Sequence, residues 1–396
     1  MHREGGAGTS PPQESFGDLA NDFENPSTEF QQPVTCWVID HPAHAQAFMP
    51  FIRNGNTADL FICCDRPDVR HLIESGEGIL PRRQVLWVPR PTGIRMGKLK
   101  RLTIAYKRYK IVRRELQMRN GSSRQIMRII GLGAPIELYA AKRSGIKARL
   151  YISDVEPDHL SHKWALKSAT DILIPLCWRK DLDGGFSKKA ENREEIEVHH
   201  FPGTKPHVYL RPITFSTSTS ESSEVKILMR TLLGGGIHDE GEVIAIPDFS
   251  SSGIELKSHS EGERLDKPWE LPNSILNFDG VITQSVSLAS EAAVLGVPVF
   301  LISKAERGVL NWLEENGAPL SRLSNSADCK AELEAWINRQ KELKNSKGGG
   351  SGESSESKAE TVESMNKSST SRQQEWPDTK ASWGVVFELL SLKDSL

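Results

Sequence analysis

The chain has 396 residues, 37% hydrophobic and 26% charged, with a formal net charge of -2. Such a chain can bury a sizeable core in about two domains, and it is neither a fibre, a collagen nor a wholly disordered tail. The charge balance gives no general attraction to nucleic acid, so no specific nucleic acid is expected as a partner.

Residues 1–32 are rich in Gly, Ser, Pro and acids, and read as a disordered tail without the apolar core of a signal peptide. From Thr35 the chain alternates compact apolar runs with helical stretches. Strands are expected at 35–39, 59–64, 84–89, 126–130, 149–153, 171–177 and 195–201, with helices at 45–53, 67–75, 99–118, 135–144 and 158–169. That alternation predicts an α/β domain with a parallel sheet covered on both faces over 33–203. The pattern restarts in a smaller Rossmann-like domain over 204–343, with strands at 225–230, 242–247, 280–284 and 297–303 and helices near 287–295, 305–316 and 327–342. Residues 344–376 are polar and read as a disordered linker, after which 377–396 returns as a helix docking on the body. Two doubly wound domains leave a cleft between the carboxyl ends of their strands, where ligands of such folds bind. No apolar run reaches the roughly 18 residues of a membrane span, which predicts a cytoplasmic protein, peripheral at the membrane if at all. The five cysteines have no metal-type spacing and read as buried thiols.

The stretch DGVITQSVSLASEAAVLGVPVFLIS (279–303) delivers a strand to a serine-rich turn and a helix. The first amides of a helix and its positive dipole end suit phosphate, so Ser285, Val286 and Ser287 are candidate anion ligands, and Glu291, one turn on, can accept from ribose hydroxyls. Plain capping by the serines accounts for the same residues. In the first domain, Asp40-His41-Pro42-Ala43-His44 follows the first strand, where His41 and His44 can serve as acid, base or phosphate ligands, or Asp40 and His44 can simply tie down the turn and cap the helix. Asp154 and Glu156 end another strand, as sugar-hydroxyl ligands, proton acceptors or simple dipole complements. Gly133, in GLGAP, allows close backbone approach. Lys205 at the domain crossing either neutralises phosphate or is a solvated hinge lysine. No metal site is expected. Leu233-Gly234-Gly235-Gly236 reads as a loop facing the cleft or a solvent turn.

The turn S/T-x-x-x-E-A-A-x-L-G-x-P, with VIDHPAHAQAFMPFIR, GLGAPIELYAAKRSGI, YISDVEPDHLSHKWALKSATDILIP and GTKPHVYL in that order, resembles the mainly archaeal and bacterial domain of unknown function 354. The resemblance runs from about Thr35 to Trp336 with gaps, and after GTKPHVYL the chain is more compressed than the family pattern. It implies a GT-B-like fold, shared with glycosyltransferases and UDP-N-acetylglucosamine 2-epimerase. The expected function is then a metal-independent sugar-nucleotide enzyme, foremost a glycosyltransferase using a UDP-sugar, with no tightly bound cofactor. A UDP-sugar epimerase is the nearest variant, and a non-catalytic nucleotide- or polyanion-binding module the alternative from another class.

Between Arg95 and Arg128 stand twelve Lys or Arg residues against one acid, Glu115. Leu99, Leu102, Tyr106, Tyr109, Val112 and Leu116 are expected to face the protein, leaving a basic face over 95–119 as solvated cover or as a contact for an anionic membrane surface.

Overall fold

Seven strands of the first half pair in parallel: β1 (Thr35–Ile39), β2 (Leu60–Cys64), β3 (Val85–Val88), β4 (Arg128–Leu132), β5 (Ala148–Ile152), β6 (Asp171–Pro175) and β7 (Glu197–Phe201), in the spatial order β3-β2-β1-β4-β5-β6-β7. β1, β2, β4 and β6 are buried at every position, which is why they appear in the sequence as unbroken apolar runs rather than alternations. The structure is a computed structural model, and it describes residues 33–52, 58–76, 84–89, 97–122, 124–210, 224–232, 244–249, 253–260, 267–323, 326–348 and 376–393. The 1–32 tail, the Leu233–Gly236 loop and most of the 344–376 linker lie outside the described residues.

One face of this sheet is covered by α1 (Pro42–Ile52), α2 (Pro67–Ser75) and the C-terminal helix α11 (Thr379–Lys393), around Trp37, Phe48, Val69 and Trp383. The other is covered by α3 (Lys98–Arg119), α4 (Pro135–Arg143), α5 (His159–Ser168) and the short α6 (Phe186–Glu191), around Val112, Leu138, Ala165 and Phe186. α2 and α4 each open with a proline, whose fixed φ suits the first helical turn and whose missing N–H costs nothing there.

The second sheet holds five parallel strands in the order β12-β11-β10-β8-β9: β8 (Val225–Thr231), β9 (Ile254–Ser260), β10 (Gly280–Thr283), β11 (Val299–Leu301) and β12 (Leu320–Arg322). The short α7 (Leu271–Ser274), α8 (Val286–Val294), α9 (Gly308–Glu315) and α10 (Cys329–Gly348) complete this half. The strand expected at 242–247 is not formed in its described part. Residues 244–249 are irregular, with Ile244, Ile246 and Phe249 against the core, and the edge of the sheet is IELKSHS instead. β9 is exposed along most of its length, so it lacks the apolar run by which buried strands are recognised. α10 continues past 343 to Gly348, because Lys344 Nζ is anchored on Glu224 O (2.6 Å) and Asp279 Oδ2 (2.7 Å).

Residues Pro33–Leu396 form one compact unit. The backbone passes between the sheets at 202–210 and returns through 376–379, and the two passages touch. Gly203 (φ +69°) lies beneath Pro377, whose Cγ stands 2.5 Å from where a Cβ would be, and Thr379 Oγ1 donates to Pro202 O (2.6 Å). His207 is packed between the Trp312 ring (5.5 Å) and the Trp376 ring (4.8 Å), with Thr204 N–H donating to its Nδ1 (3.1 Å). Burial pushes its pKa down to about 4 from 6.5. A histidine held neutral in the fold but protonated in the unfolded chain adds stability above the unfolded pKa and loses it as pH falls through 6.5 toward 4. At pH 5 the loss should be about 2 kcal/mol. Urea midpoints at pH 7 and pH 5 should differ accordingly in the wild type, and His207→Gln should remove that part of the difference.

All five cysteines are free, four of them buried. Among the described residues, no helix is long and apolar enough to cross a membrane.

Candidate functional site

Both sheets are doubly wound, and each reverses direction at one point: between β1 and β4 in the first, between β8 and β10 in the second. At such points the loops leaving adjacent strands diverge to opposite faces and open a crevice. The residues following β1 are Asp40 and His41, and Gly133 follows β4 with φ +60° and nothing within 4 Å of a Cβ position. Arg230 lies at the carboxyl end of β8, and Ser285 follows β10. His41 and Gly133 of one half and Ser285 of the other thus stand at the two switch points, whereas Asp154 and Glu156 follow β5.

Ser285 caps α8, its side chain accepting from Leu288 N–H (3.4 Å), while its own N–H donates to Thr283 Oγ1 (3.0 Å). Ser285, Val286 and Ser287 remain partly exposed. The N–H groups of Val286 and Ser287 have no acceptor among the described residues, as expected of the first turn of a helix. Glu291, one turn further, is 7% exposed and accepts from the Tyr209 hydroxyl (2.6 Å). Burial raises the Glu291 pKa, opposed by the Tyr209 hydrogen bond and by the charges of Lys205 and Arg230.

Lys205 is not a solvated hinge lysine. It is 6% exposed, and its Nζ pairs with Asp154 Oδ2 at 2.9 Å, which brings Asp154 from the first sheet to the same spot. Lys205 and Arg230 both act electrostatically on Glu291 and on His41, so both cations are within electrostatic range of the histidine of one half and the carboxylate of the other. The Arg230 guanidinium makes no hydrogen bond among the described residues.

His41 keeps part of its surface open. Burial first, then the positive charges of Arg66, His44, Lys205 and Arg230, hold its pKa well below the usual histidine range, so it is neutral at physiological pH. Its Nδ1 accepts from Ala43 N–H (3.1 Å), which assigns the proton of the neutral ring to Nε2. His41 therefore offers a donor, and a proton acceptor only if that turn rearranges. His44, its ring 6.0 Å away, accepts from Asp40 N–H at 3.4 Å.

Glu156 lies elsewhere. It is fully buried where the halves meet, its Oε1 accepting from Gly308 N–H (2.8 Å) and Arg179 N–H (3.2 Å), and burial raises its pKa. It caps the start of α9 from the opposite half, and a substrate hydroxyl has no access to it in this arrangement. Gly308 admits no side chain, because a Cβ would stand 1.8 Å from Cys177 O.

Arg108 corrects the expectation of a wholly basic outer face on α3. It is 1% exposed, hydrogen bonded through Nε to Glu137 and through Nη2 to Asp40 Oδ1 (2.6 Å), and so fixes the residue that precedes His41. The apolar stripe also departs from expectation. Val112 and Leu116 are buried, but Leu99, Leu102 and Tyr106 are 82%, 67% and 59% exposed. Their spacing averages less than the ~3.6 residues of a helical turn, so the stripe winds off the inward face.

Sequence reasoning missed Arg230, Tyr209 and Arg66. The signal for Arg230 was present, an arginine closing the apolar run VKILMR at a strand's carboxyl end. Tyr209 carried no such signal, since its role depends on a partner 82 residues away.

No protein-family model matches the chain, and no curated protein matches it. Solved structures do. The MnaA–UDP structure from S. aureus aligns with a TM-score of 0.53 at 11% identity, over 78% of this chain and 90% of its own. UDP-GlcNAc 2-epimerase from Neisseria meningitidis, bound to UDP-GlcNAc, aligns at 0.50 and 11%, over 90% and 99%. A UDP-glucosyltransferase from Polygonum tinctorium that glucosylates indoxyl aligns at 0.50 and 10%, over 91% and 99%. The likeness is one of fold: two Rossmann-like α/β halves in the GT-B-like arrangement.

Proposed function

We propose that this chain is a sugar-nucleotide enzyme of the GT-B-like class, with a UDP-sugar as donor and transfer of the sugar to an acceptor hydroxyl as its reaction. One observation carries the reading: the free first-turn amides of α8 stand at the same switch point as an Arg230 guanidinium that has no hydrogen-bond partner among the described residues. Both are donors awaiting an anion, and a diphosphate supplies it. The neighbouring Lys205, with Glu291 one turn along the helix, extends the same site toward ribose. The motif order shared with domain of unknown function 354 agrees, and we read the chain as a relative of that family.

In this reading the amides of Val286 and Ser287, the hydroxyls of Ser285 and Ser287, and Arg230 bind the two phosphates. Charge accumulates on the β-phosphate as the glycosidic bond breaks, and these fixed donors stabilise it without reorganising. His41 adds a donor through Nε2–H. Asp154, whose Oδ2 is held by Lys205, takes the proton of the acceptor hydroxyl as its oxygen bonds to the anomeric carbon. Glu156 serves as the clamp between halves rather than as the base. In the epimerase variant, Asp154 removes a proton from the sugar ring instead.

Calorimetric titration with UDP tests the reading. Wild-type protein should bind, Arg230→Ala should weaken binding by about ten- to a hundredfold, the range for a charge-assisted hydrogen bond, and Glu291→Ala by about tenfold. No UDP binding by the wild type, or unchanged affinity in Arg230→Ala, removes the proposal. With UDP-GlcNAc, UDP release that requires an added acceptor identifies a transferase, solvent-isotope incorporation at the sugar C2 an epimerase, and binding without either a non-catalytic module.

A further inference from the structure

The layer formed by α3, α4 and α5 carries more than a charge run. The Arg108 guanidinium meets Asp40 just past the carboxyl end of β1, so the first turns of α3, within the roughly 15 Å of helix from Lys98 to Lys107, extend toward and past that edge of the sheet. Leu99, Leu102 and Tyr106 stand on the exposed side of this projection. From Tyr106 a chain of aromatic rings crosses all three helices. Tyr109 follows at 6.3 Å, Tyr139 on α4 at 5.7 Å and Trp164 on α5 at 5.4 Å, and Trp164 (40% exposed) neighbours Leu160 (69%) in the first turns of α5. Lysines lie over both ends of the band, Lys110 Nζ 5.0 Å from the Tyr106 ring and Lys167 Nζ 4.8 Å from the Trp164 ring.

The charge on this layer is one-sided. Among the described side chains of the three helices, every exposed charged group is a Lys or Arg. Glu137 is buried on Arg108, and Glu115 is paired with Arg119. Tyrosine and tryptophan with flanking lysines suit the zone between lipid headgroups and acyl chains, where the ring is apolar and its polar edge stays wet. Lysine and arginine suit anionic headgroups, at a few-fold in affinity for each charge near the surface. Soluble polyanions would use the cations and leave the leucines and rings in water.

We infer that the outer layer of α3, α4 and α5 is a docking surface for an anionic lipid membrane, which turns the cleft mouth toward the bilayer. Docking itself stands apart from the nucleotide reading. That the acceptor is membrane-borne, such as a lipid carrying a hydroxyl or phosphate, rests on that reading.

Cosedimentation of the full chain with vesicles decides it. The protein should partition onto phosphatidylcholine vesicles containing phosphatidylglycerol and not onto phosphatidylcholine alone. The triple variant Lys107→Glu, Lys110→Glu, Arg114→Glu should lower that partition about a hundredfold. Leu99→Ser, Leu102→Ser, Tyr106→Ser should lower it at least about tenfold with the charges intact. All six positions are solvent-facing or project from the body, and UDP titration of both variants should match the wild type. Absence of partition onto the anionic vesicles, or partition that the apolar variant leaves unchanged, overturns the inference. So does a concentration-dependent dimer that the apolar variant abolishes, which would make a second copy the occupant. Vesicle binding without UDP binding leaves the docking standing and removes only the nucleotide reading.

Discussion

Replacing Gly308 by alanine should cost the protein about 3 to 5 kcal/mol of stability, a large effect for one methyl group. The methyl would stand 1.8 Å from Cys177 O and 2.8 Å from Glu156 Oε1, so α9 has to withdraw from the first half. Withdrawal leaves Glu156 without the Gly308 N–H, a buried carboxylate whose other oxygen already has no hydrogen-bond partner among the described residues. Overpacking and an under-solvated charge then add. Urea denaturation should show a lowered midpoint and a broadened or split transition as the halves lose their shared contact. A two-state curve at the wild-type midpoint would mean that this contact is not a mechanical one. Glu156→Gln keeps one acceptor oxygen and removes the charge, and should cost less than Gly308→Ala.

Arg108→Met should be comparably severe, at about 3 to 5 kcal/mol, because it strands Glu137 in the interior and leaves Asp40 unsupported. Burial already raises the Glu137 pKa, with Arg108 opposing it, and removing the guanidinium lets it rise further. Protonation then relieves the stranded charge. The deficit of Arg108→Met against wild type should therefore be smaller at pH 5 than at pH 8, and adding Glu137→Leu should restore part of it. Equal deficits at both pH values would show that the pair contributes through packing alone. Because Asp40 precedes His41, the same variant should also blur the turn that carries both histidines.

The strands easiest to read are those whose burial is complete, although the partly exposed β3, β7 and β8 also carry enough apolar residues to be located. β1, β2, β4 and β6 have no exposed position and stand out as apolar runs, and the alternation of run and helix pointed to two parallel sheets. β9 and β12 escaped because, unlike the edge strands β3 and β7, they carry no apolar run or sustained alternation: IELKSHS and LSR are mostly polar. The site was half legible for the same kind of reason. Residues one or two positions past a strand, such as His41, Gly133 and Ser285, are placed at the switch points by topology alone. Whether Glu156 or Asp154 is sealed in the interior or held beside Lys205 depends on neighbours distant in sequence, Gly308 for one and Lys205 for the other. Arg108 shows the limit from the other side. It stands in a run of basic residues, and nothing local distinguishes the one that points inward to two carboxylates from those that stay in water.

The hydrogen bond from Tyr209 to Glu291 joins the segment that crosses between the two sheets to a carboxylate on α8. A sugar hydroxyl seeking that carboxylate competes with the phenol for one of its two oxygens. Any ligand that displaced the phenol would release the crossing segment from this restraint, and any withdrawal of the phenol would bare the carboxylate. Thermodynamic linkage makes the two effects equal in size: the factor by which occupancy weakens the Tyr209 contact is the factor by which that contact weakens affinity.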